Sequence, residues 1–206
     1  MFWHKLFSCA VLMIVGIRTI GSQAIRAEDY LPLEAGAKYE YRGAFKDKVD
    51  TSTYIVKGAK AKSGTWFYFI DDLQLVTGCF PWPGALSKRS DGVVGVQASW
   101  VDQMEHITAD RQQLLLKLPL RKGDETGSSL YDGSVKCTTT VLGFESVVVP
   151  AGRFESCAKI RMRTTYSAEA VVHNEFFWLA PGVGLVKWVR ATGRVDELTR
   201  YSRPRQ

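Results

Sequence analysis

Residues 134–191, SVKCTTTVLGFESVVVPAGRFESCAKIRMRTTYSAEAVVHNEFFWLAPGVGLVKWVRA, decide the fold. Two turn signals divide this stretch, Val149-Pro150-Ala151-Gly152-Arg153 and Ala180-Pro181-Gly182-Val183-Gly184. Pro150 presets φ for the first turn position, and Gly152 supplies the backbone freedom that a type I turn with a following bulge requires. Beyond Gly152, residues 158–163 alternate apolar and basic side chains, the period-two signature of a strand with one buried and one wet face. Two successive β-hairpins follow.

The same signals continue on both sides. Residues 51–56 and 65–70 are rich in β-branched and aromatic side chains, and 58–64 provide a turn between them. Residues 73–77, 93–100 and 114–118 read as further strands, as do 185–190 and 197–201. The segment 78–84 holds Pro81 and Pro83, each lacking a ladder donor, and reads as a loop. Apolar spacing leaves room for one short helix over 101–111. Pro32-Leu33-x-x-Gly36 introduces a strand with Tyr39, Tyr41 and Gly43 on one face. The pattern recurs 87 residues later at Pro119-Leu120-x-x-Gly123 and divides the chain into two sub-sections. The sum is an all-β, mainly antiparallel chain of about ten strands, curled into a half-barrel or open barrel.

Residues 1–24 carry the three parts of an export signal: a short basic start, an apolar run over 6–17, then small residues. Cleavage falls after Ala24, or as late as Ala27. The apolar run is shorter than the roughly 20 residues a membrane span needs, so no stable transmembrane segment is expected once it leaves. Residues 25–206 then form a single β-rich domain ending in a frayed tail, placed in the periplasm or outside the cell. The formal charge of +6 falls to +4 when Lys5 and Arg18 go with the leader. That mild excess is spread along the chain, unlike the clustered basic surface of a nucleic-acid binder.

Export leaves Cys79, Cys137 and Cys157, and an oxidising compartment favours one bridge between two of them. In a straight hairpin turning at Pro150, Cys157 lies opposite roughly Ser146, about 30 Å along the strand from Cys137 at roughly 3.3 Å per residue. A bridge between that pair therefore requires the strand to break at Gly143. No C-x-x-C pair points to redox catalysis.

The motifs Pro32-Leu33-x-x-Gly36, Val149-Pro150-Ala151-Gly152-x-Phe154 with Cys157 nearby, and Ala180-Pro181-Gly182-Val183-Gly184-Leu185-Val186-Lys187 resemble those of a family of exported bacterial proteins of unknown function. That family is similar in architecture to the lipoprotein-carrier superfamily. The resemblance implies an antiparallel sheet curled around an apolar cavity. Thr126 stands where an aromatic would be expected after the second glycine, as Tyr39 follows the first.

A search for chemistry yields little. His173 and Glu175 would share a strand face, Glu105 adjoins His106, and Asp71-Asp72 marks a strand end. None has the spacing of a metal site or a catalytic constellation, and no cofactor is expected. The joint Gly182-x-Gly184-x-x-Lys187 connects two strands, whereas a phosphate loop opens a helix. Aromatic residues are the remaining signal. Trp66, Phe69, Phe176 and Trp178 are candidates to line a hydrophobic pocket for a lipid, an acyl chain or a lipidated protein. This makes a non-catalytic carrier the first reading. An interaction module with a closed core, meeting an acidic partner through Lys159, Arg161 and Arg163, is the alternative; a metal-assisted hydrolase using His173 and Glu175 comes third.

Overall fold

Among the described residues, twelve antiparallel strands form one sheet in which almost every strand pairs with its neighbour in the chain. The structure is a computed structural model and describes residues 30–60, 64–70, 85–96, 112–130, 133–167 and 172–204. In chain order the strands are β1 (Lys38–Phe45), β2 (Lys48–Lys60), β3 (Trp66–Ile70), β4 (Ala85–Lys88), β5 (Gly92–Val96), β6 (Gln113–Lys117), β7 (Glu125–Leu130), β8 (Val135–Val149), β9 (Gly152–Tyr166), β10 (Val172–Ala180), β11 (Gly184–Val189) and β12 (Val195–Ser202). The order in the sheet is β6-β5-β4-β3-β2-β1-β12-β11-β10-β9-β8-β7. The first and last strands are zipped together in its middle, and β6 and β7 come round to face each other. The result is a nearly closed barrel.

Both expected hairpins form, with Val149 opposite Gly152 and Ala180 opposite Gly184. Gly152 has φ +133°, a region side-chain-bearing residues avoid. The expected curled sheet is present and more fully closed than a half-barrel. Its strands outnumber the ten expected because β4 and β7 carry little strand signal of their own. The suggested strand at 73–77, the loop at 78–84 and the helix at 101–111 lie outside the described residues, as does the leader. Residues 203–204 lie against neighbouring loops: Arg203 reaches the Gly182 carbonyl and sits 3.7 Å from Glu34, and Pro204 abuts the position a Gly36 Cβ would take.

Alternation sorts the side chains into an interior and an outer face. One interior row runs through Gly43, Asp196, Trp188, Phe177, Ile160 and Val141 on six successive strands from β1 to β8. Phe177 and Ile160 in this row are fully buried. Each large apolar side chain so buried contributes about 1.5–3 kcal/mol relative to exposure. Tyr41 and Tyr39 extend the interior and reach past β12, donating to the carbonyls of Leu185 at 2.7 Å and Val183 at 3.1 Å. Tyr54 meets Tyr41 edge-on at 5.9 Å. Around β3–β5 the outer face is covered as well, since Phe67, Ala85, Ser87 and Val94 are buried on the face opposite Tyr68 and Leu86.

The two Pro-Leu-x-x-Gly loops are built alike. Gly36 and Gly123 both have φ +90°. The Gly36 amide donates to the Val56 carbonyl (2.7 Å), the Val56 amide to Ala37 (2.9 Å), and the Ala37 amide to Glu34 (3.1 Å). The Gly123 amide donates to Val141 (2.8 Å), the Val141 amide to Asp124 (2.9 Å), and the Asp124 amide to Arg121 (3.0 Å). Each loop thus clips its strand to the next, β1 to β2 and β7 to β8. The described strands form two consecutive six-stranded meanders.

Tyr41→Phe keeps the ring and leaves the buried Leu185 carbonyl without its donor, so urea unfolding should show a loss of about 1–3 kcal/mol. Phe177→Ala, at the centre of the interior row, should cost about 3–5 kcal/mol in the same measurement.

Candidate functional site

Among the described residues two places concentrate polar chemistry, one inside the barrel at the end that carries the β11–β12 turn and one on the outer face of β8–β12. The interior cluster grows from the register of β10. His173, Glu175 and Phe177 alternate onto the interior face, so the carboxylate of Glu175 lies one step beyond the packed row. The Trp188 indole N–H donates to Glu175 Oε2 at 3.2 Å, and the Ala191 amide approaches Oε1 at 3.4 Å. Burial nevertheless raises the Glu175 pKa above the ordinary carboxylate value, against the lowering effect of these donors and of Arg190. The Arg190 guanidinium stacks 4.1 Å from the Trp188 ring centre and donates to Asp196 at 2.6 Å.

Asp196 is buried and accepts from a second arginine, Arg194, at 2.8 Å. Arg194 also forks onto both oxygens of Asp50, with Nη1 2.8 Å from Oδ2. This holds the Asp50 carboxyl below its usual range and the Arg194 guanidinium firmly protonated. The fork fits because the residue beneath it is Gly43: a Cβ there would stand 2.5 Å from Arg194 Cζ and 2.6 Å from Asp50 Oδ1. The cluster therefore fastens the β11–β12 turn to β1, β2 and β10. His173 is two residues from Glu175 on the same face, and its ring meets Tyr166 edge-on at 5.6 Å. Among the described residues no group of three or more His, Cys, Asp and Glu side chains converges as a metal site. Glu105, His106, Asp71 and Asp72 lie outside the described residues.

The outer face holds Trp178. Its indole N–H donates to Glu145 at 2.6 Å, Lys159 Nζ lies 5.1 Å above the ring and 3.2 Å from Glu145, and Lys187 sits 6.0 Å away. The indole donor, then Lys159, keep the Glu145 carboxyl below its usual range. Lys187 completes the row by pairing with Glu197 at 2.9 Å. Beside it Phe176, half-buried, stands between Arg161 on β9 and Val189 on β11. Arg161 donates to Thr140 at 3.4 Å, Arg163 is exposed one step along the same face, and exposed Lys136 lies diagonally across on β8.

The four aromatic candidates do not share a wall. Phe176 and Trp178 point outward from β10, Phe69 outward from β3, and Trp66 to the opposite side, half-exposed beside Gly58. The basic trio Lys159, Arg161 and Arg163 does share one face, with Lys159 engaged by Glu145. Sequence reading missed the Arg190–Arg194–Asp196–Asp50 network. Its one local signal was the spacing Arg190, Arg194, Asp196 around a turn.

Cys137 and Cys157 are both buried free thiols. Strand β8 passes through Gly143 with a bulge and continues, so Cys157 pairs with Glu145 while Cys137 lies opposite Thr164. The fold-back that a Cys137–Cys157 bridge needs is therefore missing, which rules out that pairing; Cys79 lies outside the described residues. Burial pushes the Cys157 thiol up to about 11 and raises that of Cys137, which makes both poor nucleophiles.

No protein-family model matches the chain, and no curated protein matches it. Two solved structures are similar over most of its length. One is a provisionally named exported protein with a YmcC-like fold from Bacteroides fragilis, 15% identical, with a TM-score of 0.41 over 82% of this chain and 97% of that one. The other is a provisionally named lipoprotein from Parabacteroides distasonis, 14% identical, with a TM-score of 0.42 over 84% and 98%. Overlaps of this size carry no weight in assigning a function.

Because the folded pKa of Glu175 is raised, its protonated form favours folding. That contribution is complete below the unfolded value near 4.5 and lost as pH rises through the folded value. Glu175→Gln should remove this dependence, so the variant gains stability relative to the parent as pH rises from the unfolded value of Glu175 through its raised folded value. Urea midpoints measured across that range check it; a constant difference would contradict the buried carboxyl as its source.

Proposed function

We propose that the chain is an exported, non-catalytic interaction module with a closed core, and that its outer face meets an acidic protein partner through Arg161 and Arg163. Export rests on the leader pattern of residues 1–24 and places the protein in the periplasm or outside the cell. The observation that carries the module reading is the packing of the barrel interior. Tyr41, Phe177, Ile160, Leu185, Trp188 and Leu198 are all buried where a carrier would keep space for an acyl chain. Trp66, Phe69, Phe176 and Trp178 stand on different faces, which favours this reading over a hydrophobic carrier built on those residues.

The chemistry of the outer face suits an acidic surface. Arg161 and Arg163 are separated by one strand step, Lys136 adds a third charge, and Phe176 with Val189 supplies a half-buried apolar floor. Arginine side chains present planar forks that donate two parallel hydrogen bonds to one carboxylate. On the catalytic alternative, Glu175 is engaged with Trp188 and Ala191, a positioning role that needs no reaction.

The test is binding of poly-L-glutamate by the mature protein across a salt series. Binding should weaken as salt rises, and Arg161→Glu with Arg163→Glu should reduce it by about tenfold at low salt. Equal binding by parent and variant would overturn the assignment of the face. A stoichiometric lipid adduct in native mass spectrometry of protein purified from an envelope fraction would restore the carrier reading.

A further inference from the structure

We propose that the junction between β6 and β7 is a lateral gate: the two strands part from each other while each keeps its ladder to the strand behind it. Among the described residues, the eleven other neighbouring strand pairs are joined by backbone ladders. Between β6 and β7 side chains bond to backbone, Thr126 Oγ1 donating to the Leu115 carbonyl and Gln113 Nε2 to the Ser129 carbonyl. The internal repeat supplies its own comparison. At the equivalent junction, β1 and β12 form a ladder of seven residue pairs, and Thr199 Oγ1 adds a bond to the Glu40 carbonyl at 3.0 Å. One junction is zipped and its counterpart is only pinned.

Two further features lower the cost of parting, and a third sets where it hinges. The facing strand β7 carries Gly127, Ser128 and Ser129, and a Cβ at Gly127 would touch nothing within 4 Å, so no packing is lost at that position when the strands part. Gln113 Oε1 is buried without a hydrogen-bond partner, a penalty that water relieves once the seam opens. The loop over 118–124 ties the two strands at one end, where Gly123 and Asp124 are clipped to Val141 and the Leu118 amide to Asp91 at 3.0 Å. Motion therefore begins at the Gln113–Ser129 end and hinges at 118–124. It bares buried Leu115 and Leu116 and the interior beyond them. The closed core has a side entrance.

Hydrogen exchange of the full chain tests the gate. Amides of β6 and β7 should exchange at least about tenfold faster than those of β1 and β12. Thr126→Val should raise β6 and β7 exchange a further fivefold to tenfold and leave β1 and β12 unchanged, the size of one lost hydrogen bond. Thr199→Val should leave β6 and β7 unchanged. Should Thr126→Val not fold, a short bismaleimide joining Gln113→Cys to Ser129→Cys should slow β6 and β7 exchange about tenfold relative to the unlinked protein. Equal exchange at the two junctions, no change on cross-linking, or a Thr126→Val effect spread evenly over all strands would overturn the proposal.

Discussion

The ladder between β1 and β12 is the constraint on which the rest depends. It joins Lys38 to Ser202 and Ala44 to Val195 across most of the chain's length. Without it the two meanders would be separate sheets, each with an unpaired edge and one apolar face open to water. With it, the interior faces curl toward each other and Tyr39 and Tyr41 can find their acceptors at Val183 in the β10–β11 turn and at Leu185 on β11. Even the polar cluster depends on this pairing, because Gly43 and Asp196 are partners in the ladder and Arg194 lies over that point.

Two meanders of six strands joined through equivalent strands give the barrel an approximate internal twofold organisation, and the departures from it are informative. Tyr39 fills the interior and bonds to Val183 in the β10–β11 turn, whereas its counterpart Thr126 is small and spends its hydroxyl on the neighbouring edge. A ring at one position holds the core, and a hydroxyl at the other holds a seam.

How much of this was legible beforehand follows from which signals are local. Turn chemistry at Pro150–Gly152 and Gly182–Gly184 and alternation in 158–163 are local, and both hairpins form where they placed them. Strand β7, Glu-Thr-Gly-Ser-Ser-Leu, has no propensity of its own and exists because β8 offers it a partner, so it was invisible. Facing direction is also non-local. Phe176-Phe177-Trp178 had to put bulk on both faces, but only the register with Ile160 and Trp188 decides that Phe177 goes inside and Trp178 outside. The arginine network was hidden for the same reason: Asp50 and Arg194 are 144 residues apart.

The closure of β1 on β12 also sets an order of events in time. Most contacts in a meander link neighbours in sequence and form early, whereas this ladder must wait for the far end of the chain and carries the largest loop-closure entropy. Until residues 195–202 arrive, β1 is a bare strand edge, the kind of template on which chains stick to one another. Its outer side chains Lys38, Glu40 and Arg42 place a charge at every second position along that edge, with Lys38 and Glu40 2.8 Å apart. Charge alternation that looks like ordinary solvent-facing decoration in the finished barrel is, during the interval before closure, what keeps an unfinished molecule from joining its neighbours.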